Sequence, residues 1–249
     1  MGNRLLFHLT ILFFIPSLAF GQDPLEIIRK ADENMRGNTS KGEMVMQIIR
    51  SDWTREVRMK MWSMGTTKSL VLVTGPPRDK GLATLMRDRE IWNWQPSIER
   101  VIKLPPSMMM QSWMGSDFTN DDLVKQSSIV NDYTHKLLKD TLLQGRKCYK
   151  ILLIPKEDAA VVWGKIESYI SDEDYLQLLV KFYDEDDYLV NTMKASNVKN
   201  MGGRLIPSYM EMIPAENPKQ KTTFEYLNLE FDIDLEDSFF SIQNMKRLR

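Results

Sequence analysis

The stretch "TREVRMKMW", residues 54–62, places Val57, Met59 and Met61 on one parity and Glu56, Arg58 and Lys60 on the other. Successive side chains of a strand point to opposite faces, so strict alternation with one charged side reads as a half-exposed antiparallel strand. Just upstream, "GEMVMQI" (42–48) repeats the pattern, with Met44, Met46 and Ile48 sharing a face. "SDW" between the two runs reads as a turn.

Working outward, the period of two persists. "KSLVLVTG" (68–75), "GLATLMRD" (81–88), "EIWNWQP" (90–96) and "ERVIKLP" (99–105) follow as short strands, separated by "SMGTT", "GPPRDKG" and "RDR". "CYKILLIP", "GKIESYIS", "QLLVKFYD", "LVNTMKASNV", "LIPSYMEMI" and "TTFEYLNLEF" read the same way down to residue 231. The spacing predicts about ten strands in a meander with no βαβ rhythm, and one domain rather than two. One helix is expected at the start of the domain, in "DPLEIIRKADENMRG" (23–37). Asp23 is its N-cap, Pro24 its first residue and Gly37 its stop, with Leu25, Ile28 and Ala31 on the packing face. "FTNDDLVKQ" (118–126) and "DSFFSIQNMKRL" (237–248) predict shorter helical turns.

Residues 1–21 read as an export signal: Arg4, then an apolar run from Leu5 to Phe20, then Ala19 and Gly21 at small-residue positions, with the cut before Gln22. The mature chain, 22–249, then carries 32 basic against 34 acidic residues, since Arg4 is the one basic residue lost from 33. A balanced surface gives no electrostatic reason to expect nucleic acid. The single cysteine, Cys148, has no partner for an internal disulfide and reads as a buried small hydrophobe.

Catalytic and metal chemistry is sparse. After loss of His8, one histidine remains, His135, which with one cysteine cannot build a His/Cys zinc site. The acidic runs "SDEDY" (171–175) and "DEDD" (184–187) lack the glycine and closing glutamate of an EF-hand loop and read as solvated turns. No G-x-S-x-G elbow, G-x-G-x-x-G turn or phosphate-binding loop is present. The expectation is a non-enzyme with no cofactor and no metal. Gly202 and Gly203 read as a hairpin turn.

Soft apolar residues are concentrated in one region. Residues 35–114 hold eleven of the sixteen mature methionines and five of the six tryptophans. Methionine adapts to irregular partners and suits promiscuous binding surfaces. A deformable apolar cavity is one reading; ordinary core filling is the other, and composition by itself favours it.

The segments "IWNWQPSIERVIKLPP" (91–106) and "QSWMGSDFTNDDL" (111–123) resemble those of the outer-membrane lipoprotein-sorting protein family, relatives of the periplasmic carrier LolA. The resemblance rests on Trp92, Trp94 and Pro96, on Arg100 and Lys103, and on the run from Trp113 to Phe118 with Thr119, Asp121, Asp122 and Leu123. "LLVKFYDEDDYLV", "MGGRLIPSYMEM" and the closing "KTTFEYLNLEFD" and "DSFFSIQNMKRL" extend it along the mature chain. It implies a mainly β fold with a few α-helices: an incomplete, strongly curved antiparallel β-barrel whose open mouth is covered by helices. It also implies a hydrophobic cavity that carries a lipid or the acyl chains of a lipoprotein through the periplasm, which outweighs the core-filling reading. Partners would be an envelope transporter or an outer-membrane acceptor. The alternative is a non-catalytic interaction subunit of a lipid-exporting transporter.

The candidate cavity or rim residues are Met44, Met46, Met59 and Met61, from strand parity, and Trp92, Trp94, Met109, Trp113 and Met114, from proximity to the motif. The helix at 24–36 and the 105–123 segment are the expected lid. Asp117 or Ser116 is the expected cap of the helical turn that follows.

Overall fold

A computed structural model of the protein describes residues 22–88, 90–124, 128–159 and 161–248. The expected export signal, residues 1–21, lies outside the described residues.

Among the described residues, the alternating runs form fourteen strands in one antiparallel sheet. They are β1 (Thr39–Ile49), β2 (Thr54–Met64), β3 (Lys68–Gly75), β4 (Ala83–Arg87), β5 (Glu90–Gln95), β6 (Arg100–Lys103), β7 (Tyr133–Leu137), β8 (Thr141–Leu143), β9 (Arg146–Pro155), β10 (Lys165–Ser171), β11 (Gln177–Tyr183), β12 (Leu189–Met201), β13 (Arg204–Pro214) and β14 (Lys221–Phe231). The quoted runs account for twelve of these strands; β7 and β8, both short and both paired to β9, are the other two. The spatial order is β6-β5-β4-β3-β2-β1-β14-β13-β12-β11-β10-β9-β7, with β8 also beside β9. The first and last strands therefore meet in the middle of the sheet, Met46 opposite Phe224. Gly202 and Gly203, both at positive φ, make the β12–β13 turn as the sequence suggests.

Four register shifts, at Glu43/Met44, Arg58/Met59, Tyr169/Ile170 and Phe182/Tyr183, bend the sheet. An extra residue in one strand increases local twist and curvature. At the first shift the backbones approach closely: a Cβ on Gly42 would lie 2.6 Å from Leu229 and 2.7 Å from the Asn228 carbonyl. The sheet curls without closing. Its edges, β6 and β7, are consecutive strands in the chain.

Among the described residues, four α-helices accompany the sheet: α1 (Pro24–Arg36), α2 (Asn120–Val124), α3 (Ser128–Asn131) and α4 (Ile242–Arg247). The capping of α1 follows the sequence reading. The Asp23 side chain accepts from Leu25 N, and the Gly37 amide, at φ 65, donates to Glu33 O. Its buried face is Ile27, Ile28 and Ala31, whereas Leu25 is exposed. A cover of helices over the mouth is not what the fold provides. Only α1 and the one-turn α2 and α3 lie on the concave side, where α1 contacts β7, β10, β13 and α3. Helix α4 sits against β4 and β5 on the opposite, convex face, where Phe240 and Met245 pack on Leu70, Leu72, Ala83, Leu85 and Trp94. Cys148 is fully buried beside Leu176 and Leu178, and burial pushes its thiol pKa up.

Candidate functional site

The concave face of the sheet encloses an apolar cavity of about 260 Å³, close to the lower end of the range typical for small-molecule pockets. Register explains its walls. Ser40, Met44 and Met46 on β1 align with Ser63, Met59 and Val57 on β2, and Met61 aligns with Val71 on β3. Across the β1–β14 seam, Met44 faces Tyr226 and Met46 faces Phe224, then Phe224 faces Met210 and Thr222 faces Met212 on β13. Helix α1 closes one side with Ile28, Ala31 and Met35. Seven methionines line the space: Met35, Met44, Met61, Met86, Met193, Met210 and Met212.

Residues 105–122, after β6, form a strap across this face, and its chemistry is internal and specific. Trp113 N donates to Phe118 O at 2.8 Å, Asn120 N to Gln111 O at 2.9 Å and Asp121 N to Met109 O at 3.0 Å, folding the strap on itself. Met114 (φ 54) and Gly115 (φ 79) take successive left-handed conformations that turn the chain back. Asp117 then fastens the strap to the sheet. Its two carboxylate oxygens each accept from an Arg50 guanidinium nitrogen at 3.1 Å, and Oδ2 also accepts from Thr222 Oγ1 at 2.7 Å. Arg50 Nη2 donates as well to Gly115 O at 3.1 Å. A second arginine, Arg55, reaches Met114 O at 3.3 Å and Asp79 at 2.7 Å.

Neither Asp117 nor Ser116 caps α2, as the sequence suggested. The cap is Thr119: its Oγ1 accepts from Asp122 N at 3.1 Å while Asp122 Oδ2 accepts from Thr119 N at 2.8 Å, a reciprocal capping box. Asp117 is taken by Arg50 because a bidentate guanidinium pair binds a carboxylate more strongly than one amide does.

Asp122 also accepts from the Trp163 indole N–H at 3.0 Å, joining the strap to the cavity wall. Burial raises its pKa, opposed by the hydrogen bonds from Thr119 and Trp163. Burial also raises Tyr133, and it pushes Tyr226 up to about 12, so both phenols stay neutral in the cavity wall at physiological pH. The Arg36 guanidinium, also in the wall, is held by Asp32 one turn before it. His135 Nε2 lies 2.6 Å from the Ile129 carbonyl oxygen, and burial lowers its pKa. Among the described residues, no group of three His, Cys, Asp or Glu is arranged to hold a metal ion. The arrangement favours exclusion of water and accommodation of an apolar guest.

A family model described as "Uncharacterized protein"-like matches residues 65–247, from the β2–β3 turn through α4. The chain belongs to that family. No curated protein matches it. Its fold is LolA-like. A DUF1329 family protein from Desulfovibrio piger superposes with a TM-score of 0.82 at 22% identity, covering 90% of this chain and 100% of the other. A domain from Vibrio parahaemolyticus bearing the name outer membrane lipoprotein-sorting protein gives 0.78 at 22%, covering 90% and 98%. A LolA superfamily protein from Nitrosomonas europaea gives 0.76 at 22%, covering 90% and 99%.

Within this family member, the nine residues singled out from sequence fall into four places. Met44 and Met61 line the cavity. Met46 and Met59 are on the same face but sealed beneath it, and Trp113 and Met114 pack into the same cluster from the strap. Met109 packs with Met108 on Met86, Ile91 and Leu104, at the β4–β6 end. Trp92 and Trp94 require correction. Trp92 pairs with Leu85 and Trp94 with Ala83, which puts both indoles on the convex face, under the C-terminal segment. Proximity in sequence to the motif misled here, because neighbours in a strand alternate faces. Sequence reasoning also passed over Met193, Met210, Met212, Phe224 and Tyr226 in the wall. Met210 and Met212 in "LIPSYMEMI" and Phe224 and Tyr226 in "TTFEYLNLEF" share even parity, a readable signal, but only the β1–β14 pairing brings Tyr226 opposite Met44 and Phe224 opposite Met46.

Proposed function

We propose that this protein is an exported, non-catalytic carrier that shelters a lipid, or the acyl chains of a lipoprotein, in its concave cavity during transfer through the cell envelope. Residues 1–21 would direct export and be removed before Gln22, leaving residues 22–249 as one carrier domain in the periplasm. The observation that carries the reading is the methionine-rich cavity under the strap. The LolA-like fold and the lipoprotein-sorting name of one structural relative support it.

The mechanism is differential solvation. Each acyl CH₂ moved out of water is stabilised by about 0.8 kcal/mol. A long chain therefore binds tightly, and release needs either a receptor or a change in the cover. The strap is the element suited to shift: it is held by discrete clamps at Arg50 and Arg55 rather than by strand pairing along its length. Donor and acceptor are an envelope transporter and an outer-membrane component in this reading.

Native mass spectrometry of the full chain, exported in a bacterial host and purified without detergent, tests the proposal. Adducts with lipid masses, lost on solvent extraction and restored by added lipid, are the expected result. A protein that carries no lipid and takes none up would reduce the cavity to an incompletely packed core and leave an interaction role in its place.

A further inference from the structure

Hydrocarbon has no use for hydroxyl groups, yet one end of the cavity wall is built from them. Ser40, Ser63 and Ser69 are register partners on three adjacent strands, β1, β2 and β3, and all three line the cavity. One inward-facing step along the same strands, the row becomes Gly42, Met61 and Val71, and the next is Met44, Met59 and Val73. The wall thus changes from hydroxyl to apolar in a single step, on three strands at once. Ser40 Oγ and Ser63 Oγ are 2.7 Å apart, so one of the pair donates to the other and a donor remains. The Ser69 hydroxyl faces the cavity without a hydrogen-bond partner among the described residues. The cations in the wall are committed: Arg36 to Asp32, and Lys68 to Asp237 at 2.7 Å. A charged headgroup finds no spare cation beside the row, whereas a neutral carbonyl finds hydroxyl donors.

We propose that the cavity reads the linkage of its guest: an amphiphile enters in one orientation, with an ester or amide carbonyl on the Ser40–Ser63–Ser69 row and its hydrocarbon running toward Phe224 and Met212. This rests on the carrier reading above. The ligand class it names is an acyl compound, in which a carbonyl joins chain to headgroup, as opposed to an ether-linked or purely hydrocarbon one.

The test is competition between a diacyl phospholipid and its dialkyl ether analogue, matched in chain length and headgroup, for the purified full chain. Wild type is expected to favour the ester by about three- to tenfold, the effect of one or two net hydrogen bonds. S69A, which removes a hydroxyl with no protein partner and leaves folding intact, should cut that preference by about twofold or more. The triple variant S40A/S63A/S69A should abolish it while still binding the ether lipid. Equal binding of both lipids by wild type overturns the linkage reading and leaves the carrier reading standing. A preference that survives in S69A and in the triple variant overturns the assignment to the serine row. Failure of both lipids to bind overturns both readings.

Discussion

Asp117 shows how much one side chain on the strap is asked to hold. Its carboxylate receives Arg50 through both oxygens and Thr222 as well, and both members of the ion pair are largely withdrawn from water. Removing one partner of such a pair leaves the other desolvated and uncompensated. D117A should therefore lower stability by about 3 kcal/mol, read as a shift of the urea midpoint at unchanged slope. A loss no larger than that of an ordinary surface substitution would mean that the strap is held by its apolar contacts alone. Residue identity in the "GSDF" run was legible as a motif, but its role was not. The sequence suggested a helix cap because a small polar residue precedes a helical turn. The true partner, Arg50, is 67 positions away in the chain, at the end of a strand whose neighbour in space is β14.

At the scale of the element, the strap answers why three methionines follow two prolines. Met108 and Met109 are half-buried against Met86, Ile91 and Leu104, while Met110 is 60% exposed. Pro105 and Pro106 start a single helical turn that drops the first two onto the sheet end. M108S/M109S should destabilise the fold by about 2–4 kcal/mol, because each loses buried apolar contact and places a hydroxyl there; M110S should stay within about 0.5 kcal/mol of wild type. Thermal or urea unfolding of the two variants decides whether the run plugs the sheet or serves as surface. Strand elements were legible wherever one face was wet, as in β2. Where both faces are covered, as in β5, the strand was legible but not which side encloses the cavity: Ile91 turns inward and both tryptophans turn outward beneath Phe240 and Met245. With apolar residues on both sides, alternation carries no information about which side encloses the cavity.

At the scale of the whole molecule, an open sheet of fourteen strands keeps a hollow that a flat one could not. Bulges bend it, and α1 and the strap cover the concave side while the C-terminal segment covers the other. The interior is thus divided into a firm outer cluster of leucine, alanine and aromatic residues and a soft inner one rich in methionine. M61W tests whether the hollow or the fold matters for binding. Met61 lines the cavity beside Val71, so an indole there fills space that a ligand would use. The variant is expected to melt within a few degrees of wild type, or higher, and to lose lipid adducts in native mass spectrometry; retained adducts would place the ligand elsewhere.

Local chemistry determined much of this protein without any tertiary knowledge. The alternation in "TREVRMKMW" and "GEMVMQI" set strand type and placed Met44, Met46, Met59 and Met61 on one face, since side-chain parity is a property of a single strand. Asp23, Pro24 and Gly37 bounded α1, since caps act over a few residues. The tertiary structure alone decided which face is concave, because that depends on bulges and on what packs on the other side. It alone brought β1 beside β14, opposing Met44 with Tyr226, and joined Arg50 to Asp117. Such contacts link residues far apart in the chain, and their free energy appears only once the intervening strands have found their register.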